Sequence, residues 1–144
     1  MFGKLLRFDF LEKSKEYGPI PLRILLGAEL IRGVQDNVFH HEHMVRFMDF
    51  LEQNGFPFPT FGAYLSAYAQ FLCGLLFILG LGTRFAGAVM VINFLFALGI
   101  AHIGAPYQAN YPAFIMLAAA IFFFVHGAGK PSVDDWLEKR RSGR

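Results

Sequence analysis

Charge is scarce in this chain, and cysteine is all but absent. Asp, Glu, Lys and Arg make up 17% of its 144 residues, whereas soluble domains carry about 25%. With 55% hydrophobic residues, a chain this short has too little interior to hide its apolar side chains from water, so the surplus needs lipid. The same scarcity excludes disorder, because disordered chains are rich in charge and poor in aromatics, and this one holds 18 Phe. The single cysteine, Cys73, excludes a disulfide framework, a CxxC redox pair and any cysteine-based zinc or iron–sulfur site. A net charge of +2 is too small to argue for nucleic acid. No nucleophile–base pair, phosphate loop, HExxH or dinucleotide fingerprint occurs.

What the chain does have is long apolar runs. A membrane-crossing helix needs about 20 mostly apolar residues, and four windows qualify: Pro19–Phe39, Thr60–Leu81, Phe85–Ile103 and Tyr111–Val125. The first carries Arg23, Glu29, Arg32 and Asp36, so a soluble amphipathic helix competes with a span there. Three spans would put the basic ends on opposite sides of the membrane, which favours four. Lys4, Arg7, Lys13 and Lys15 flank the first span and Lys130, Lys139, Arg140, Arg141 and Arg144 follow the last. By the excess of Lys and Arg on the cytoplasmic side, both termini are expected inside. The expectation is an all-α integral membrane four-helix bundle of the bacterial inner membrane. It forms one domain over 1–144, with spans at about 19–39, 60–81, 85–103 and 110–127 and cytoplasmic tails 1–18 and 128–144. No cleavable signal peptide is expected, and the first span then serves as an uncleaved anchor.

Three shorter pieces have readable patterns. Residues 1–17 mix Phe and Leu with Lys and Arg, as either an interfacial helix or a frayed basic tail would. Met44, Phe47, Met48 and Leu51 fall at i, i+3, i+4 and i+7 in the first outer loop, predicting a short amphipathic helix that ends at Asn54-Gly55. Ser132 and Asp135 form an S-x-x-D capping box that starts a helix around Trp136.

Charge inside a span costs roughly 2.5–3.5 kcal/mol per group on insertion scales, so such groups are expected to pair and to face protein or water. Glu29, Arg32 and Asp36, at i, i+3 and i+7, share one stripe on which Arg32 can bridge two carboxylates; Arg23, close to the inner surface, can snorkel. The topology puts Glu29 and Gln70 near mid-membrane and Arg32, Asp36, His102 and Asn110 in the outer half. Together these six predict a polar ligand pocket opening outward, with a structural ion network as the alternative. His40, His41 and His43 are close enough to bind zinc or copper, but they lack helical i, i+4 spacing, and no metal is expected. Haem is not expected either, since His102 and His126 fall at opposite ends of the bundle.

Four segments carry a likeness to a known family: LRILLGAELIRG (22–33), LGLGTR (79–84), ALGIAH (97–102) and GAGKPSVDD (127–135). In these the chain resembles the DoxX family of small four-span membrane proteins, from about residue 19 to 136. The resemblance implies a four-helix membrane bundle and a link to quinone or thiol redox systems, the founding member being a small subunit of a thiosulfate:quinone oxidoreductase. Members commonly carry an acidic residue midway along span two and another at the start of span four, where this chain has Gln70 and Asn110. A hydrogen bond survives that change and a proton relay does not. Asp36 stands where a Lys is common.

Two functions stay open at this stage. One is a subunit of a quinone-linked oxidoreductase, with Arg32 and His102 polarising quinone oxygens and Glu29 or Asp36 taking protons. The other is a non-catalytic accessory subunit packed on a larger membrane complex, or on further copies of itself. Transport is less well supported, because no inverted repeat is visible. The sequence supplies no redox centre, so the expected cofactor is at most a bound quinone and the expected partners are lipid and other membrane subunits.

Overall fold

The computed structural model describes residues 8–101 and 104–143, and these contain helices and no strand. A 3₁₀ helix, Asp9–Tyr17, leads into α1 (Pro19–Phe39), followed by α2 (His41–Gln53), α3 (Pro59–Leu79), α4 (Thr83–Phe96), α5 (Tyr107–His126) and α6 (Val133–Ser142). Proline opens both α1 and α3, where its missing N–H is no loss and its fixed φ suits a first turn. The last turn of α4 widens into a π-helical segment, Ala97–Ala101. Residues 1–7 lie outside the described residues, so of the segment 1–17 only the 3₁₀ part can be placed.

Apolar helices in lipid gain nothing from hydrophobic attraction to one another, and they associate through close van der Waals contact at small residues. Two glycine contacts do this here. On α1, Arg23, Leu26, Gly27, Leu30 and Val34 are buried, a face of 3.6 periodicity that lies along α3. A Cβ placed on Gly27 would stand 2.6 Å from the Gly74 carbonyl oxygen, and one on Gly74 would stand 2.8 Å from the Gly27 oxygen. The two backbones touch. Gly87 does the same between α4 and α5, where a Cβ would come within 2.9 Å of the Ala120 oxygen. The α1–α3 and α4–α5 pairs meet over a core that includes Leu30, Cys73, Phe77, Met90 and Phe123, with the Phe77 and Phe123 rings 5.3 Å apart.

The short helix expected in the first loop is α2. Met44 and Leu51 are buried against Val34, Ala63 and Ala67, with Phe47 and Met48 packed beside them. It covers the α1–α3 pair at the end remote from the chain termini. Of the long helices, α3, α4 with its π extension (Thr83–Ile100) and α5 are long and apolar enough to cross a membrane. Helix α1 matches α3 in length at 21 residues but carries the four charges.

The glycine contact gives a test. Gly27→Ile must push α1 off α3 and is expected to lower thermal stability in detergent by about 1–3 kcal/mol, as overpacking does. Ala28→Ile, one residue along on the exposed side of α1, should melt close to wild type. Equal melting of the two would mean that α1 does not seat on Gly74.

Candidate functional site

Two cavities lie at opposite ends of the helices. The one at the α2 end has a volume of about 540 Å³ and is walled by Phe side chains from α2, α3, α4 and the α2–α3 loop, among them Phe47, Phe56, Phe61 and Phe94. A Cβ on Gly62 would collide with the Phe56 ring, so glycine keeps this wall closed. The π segment contributes Ala97 and Ile100; widened turns of this kind are frequent at functional sites. Set into the apolar wall is a short polar chain. Gln70 donates from Nε2 to Ser66 Oγ at 3.0 Å, and Ser66 donates to Asn93 Oδ1 at 2.7 Å. Those two bonds use the single hydroxyl hydrogen of Ser66 and one of two on Gln70. The second Nε2 hydrogen of Gln70 and both Nδ2 hydrogens of Asn93 are donors left over beside the cavity. None of the described residues lining it titrates near neutral pH.

At the other end a cavity of about 740 Å³ lies between the α3–α4 turn, the loop after α5 and α6. Its lining includes Lys15, Arg84, Lys130 and Arg141 against Glu16, Asp134, Asp135 and Glu138. With four Lys and Arg against four acidic groups, and His126 beside them, it has no marked excess of charge to offer an ionic ligand.

What that end does contain is a clasp. Arg23, only 4% exposed, donates from Nη1 to the Ala128 carbonyl at 2.8 Å and from Nη2 to the Pro131 carbonyl at 3.1 Å. The nearby Asp134 adds Coulombic attraction. The Asp134 carboxylate accepts from the Gly82 and Thr83 amides at 2.8 and 3.1 Å, which caps the positive end of α4. Its own amide donates to the Gly80 carbonyl at 2.9 Å. Gly80 has a φ of +70° and no room for a Cβ, which would meet Arg23 Nη1 at 2.7 Å. Ser132 caps α6 as the S-x-x-D pattern predicts, accepting from the Asp135 amide at 3.1 Å. On α6 itself, Asp135 accepts a 2.8 Å hydrogen bond from Lys139, which raises the ammonium pKa above its ordinary value.

Of the six residues expected to form one pocket, the five that are described are not brought together. Gln70 lines the α2-end cavity. Arg32 and Asp36 are exposed and Glu29 is half-buried, because the opposite face of α1 is the one that packs on α3. Arg32 Nε lies 3.7 Å from Glu29 Oε2, and no ion pair to Asp36 forms among the described residues. The expected double bridge inside the bundle is therefore replaced by one pair facing outward. Asn110, at the start of α5, donates to the Ala105 carbonyl at 3.4 Å. His102 lies outside the described residues. The rings of His40 and His43 are 5.9 Å apart at the start of α2, and the described residues hold no group of three or more metal-binding side chains.

Sequence reasoning passed over Ser66 and Asn93. The signal was present in Ser66 and Gln70 at i, i+4 on one helix and in Asn93 as the lone amide within the next. Arg23 does not snorkel to the surface: its place on the Leu26–Leu30–Val34 face turns it inward.

The sequence likeness is confirmed by comparison with family models: residues 18–103 match DoxX. The chain belongs to the DoxX family. The matched stretch runs from the start of α1 through α4, so the Ala128–Asp134 half of the clasp lies beyond it. No significant match was found among curated proteins or solved structures. With three helices able to cross a bilayer, this DoxX chain is a membrane protein.

The clasp predicts a large effect from one side chain. Arg23→Leu leaves two loop carbonyls without their charged donor and should cost about 1.5–3 kcal/mol, the worth of hydrogen bonds to a charged group. Trypsin should then cut faster at Lys139–Arg141, because the loop that anchors α6 is released. Arg23→Lys should fall between the two. Unchanged melting and proteolysis of Arg23→Leu would mean that the loop is held by other contacts.

Proposed function

We propose that this DoxX protein is a four-span protein of the bacterial inner membrane, a single domain with both termini cytoplasmic. It acts as the quinone-binding subunit of a quinone-linked redox system. The observation that carries the proposal is the Gln70–Ser66–Asn93 chain in the wall of an otherwise apolar, phenylalanine-lined cavity. A quinone head group is a flat ring with two carbonyl acceptors. Phenylalanine walls suit the ring, and amide donors suit an acceptor in surroundings without competing water.

When bound, a quinone supplies a carrier of two electrons and two protons. The chain's own contribution is to hold and orient. Asn93 Nδ2 and Gln70 Nε2 donate, Ser66 fixes the orientation of both amides, and the phenylalanines keep water out. An amide cannot take up a proton at neutral pH, so the described lining provides a seat and no proton relay. Electrons and protons then enter through a partner subunit. Glu29 and Asp36, the proton acceptors the sequence suggests, and Arg32, its candidate for polarising the quinone oxygens, stand on the far side of α1. Asn110 lies outside the lining of this cavity, and His102 outside the described residues.

Four spans are supported by the equal lengths and close backbone contact of α1 and α3, and cytoplasmic termini by the basic flanks. A phosphatase or green fluorescent protein fused at Arg144 should report a cytoplasmic C-terminus; a periplasmic report would break this topology.

Quinone retention tests the function. Protein purified from membranes in mild detergent should yield quinone on solvent extraction. Gln70→Leu and Asn93→Leu should each lower the yield about tenfold, the worth of one amide–carbonyl hydrogen bond, without changing the melting profile greatly. Asn110→Ala, outside the cavity lining, should retain the wild-type amount. If both leucine variants hold quinone at the wild-type level, the accessory-subunit reading replaces this one.

A further inference from the structure

The cavity at the α2 end has its mouth on the side of the molecule. Phe61 and Leu65 on α3 and Ile92 and Phe96 on α4 all line it, yet they are 67%, 57%, 57% and 58% exposed, respectively. Leu65 and Ile92 are each followed in sequence by a member of the polar chain, Ser66 and Asn93, about 100° further round the helix. Those two and Gln70 are half-buried. The four apolar side chains are therefore the lips of a slot between α3 and α4, and the polar chain is its floor. Toward the α2 end the slot is stopped by Phe47 and Phe56, which pack with Leu51 on the cluster of Val34, Met44, Ala63 and Ala67.

Depth decides what can reach that floor. Gln70 lies near the middle of α3, about 15 Å from either end, and Asn93 near the middle of the apolar stretch Thr83–Ile100. Hydrocarbon is about 30 Å thick, so the spare amide donors stand close to mid-membrane whichever way these two helices cross it. A phospholipid head group stays at the interface, and a water-soluble acceptor coming from the α2 end meets the phenylalanines first. We infer that the cavity is loaded sideways from the lipid, by a quinone whose long polyprenyl tail stays in the slot between Phe61 and Leu65 on one side and Ile92 and Phe96 on the other. The inference rests on the quinone reading and adds to it an entry route and a seat for the tail. A tail joined to a seated ring fills the slot at less entropic cost than a separate lipid chain, because the ring has already fixed its position.

Native mass spectrometry of the full chain released from phospholipid nanodiscs counts bound quinone directly. At equal mole fractions in the disc, a quinone with a long polyprenyl tail should bind the wild-type protein about tenfold more tightly than the same ring with a methyl group in the tail's place. Leu65→Trp and Ile92→Trp, which crowd the slot from exposed positions outside the core, should each remove most of that preference and melt like wild type. Leu72→Trp, on an exposed part of α3 outside the lining, should keep it. Equal binding of the two quinones by the wild type overturns the slot and leaves the quinone reading standing. A preference that survives both Leu65→Trp and Ile92→Trp does the same. If the wild type takes up neither quinone, the quinone reading fails and the slot falls with it. The wild-type comparison needs no substitution, so misfolding of a substituted chain does not blur the result.

Discussion

One buried guanidinium ties together parts of the chain that lipid gives no reason to stay together. Arg23 reaches the carbonyl of Ala128, 105 residues away in sequence, and that of Pro131, in the loop that leads to Asp134, which in turn caps α4. The start of α1, the turn between α3 and α4, and the segment after α5 are thereby held at one end. Apolar helices in a bilayer have little preference for one another over lipid tails, so directional contacts of this kind, together with backbone contact at Gly27, Gly74 and Gly87, set which helix lies beside which. Glycine at position 80 follows from the clasp, because the guanidinium occupies the space a side chain would need.

The other end is built differently. At the α2 end the helices are separated by phenylalanine rings, α4 loosens into a π turn, and an amphipathic helix closes the gap from the side. Polar groups at the two ends serve different ends. Around Arg23 the hydrogen bonds of the clasp run to backbone carbonyls and amides, which is the pattern of structural fastening, although Arg23 Nε and Thr83 Oγ1 stay buried without a partner among the described residues. Around Gln70 and Asn93, amide hydrogens remain over after internal bonds are made, which is the pattern of a seat for an acceptor. The charges of α1 belong to neither group and point away from α3.

Much of the fold was legible in the sequence. The windows 19–39 and 60–81 fall within two residues of α1 and α3, the i, i+3, i+4, i+7 pattern from Met44 foretells α2, and Ser132 caps α6 as its spacing indicates. The candidate site was less legible, for a physical reason. In a soluble helix the charged face is the outward one, but the cost of charge in a membrane span argues for Glu29, Arg32 and Asp36 facing inward. The steric demand of the Gly27–Gly74 contact decides otherwise, by turning the Leu26–Leu30–Val34 face toward α3. Nothing local to Arg23 reveals that its acceptors are two carbonyls beyond the last long helix, and nothing in ALGIA announces a π turn. The seat itself is made of Ser and amide side chains, which are unremarkable one at a time and acquire meaning only when α3 and α4 bring them within hydrogen-bonding distance.

The central claim is that the α2-end cavity holds a quinone ring, and photoaffinity labelling tests it most directly. Membranes containing the wild-type protein would be illuminated with an azido-quinone and the labelled peptides mapped by mass spectrometry. The account predicts label on the segments around Phe56–Gln70 and Val89–Ile100, competed away by excess unmodified quinone. Label confined to the clasp end around Arg84 and Asp134, or spread over lipid-facing positions without competition, would contradict it.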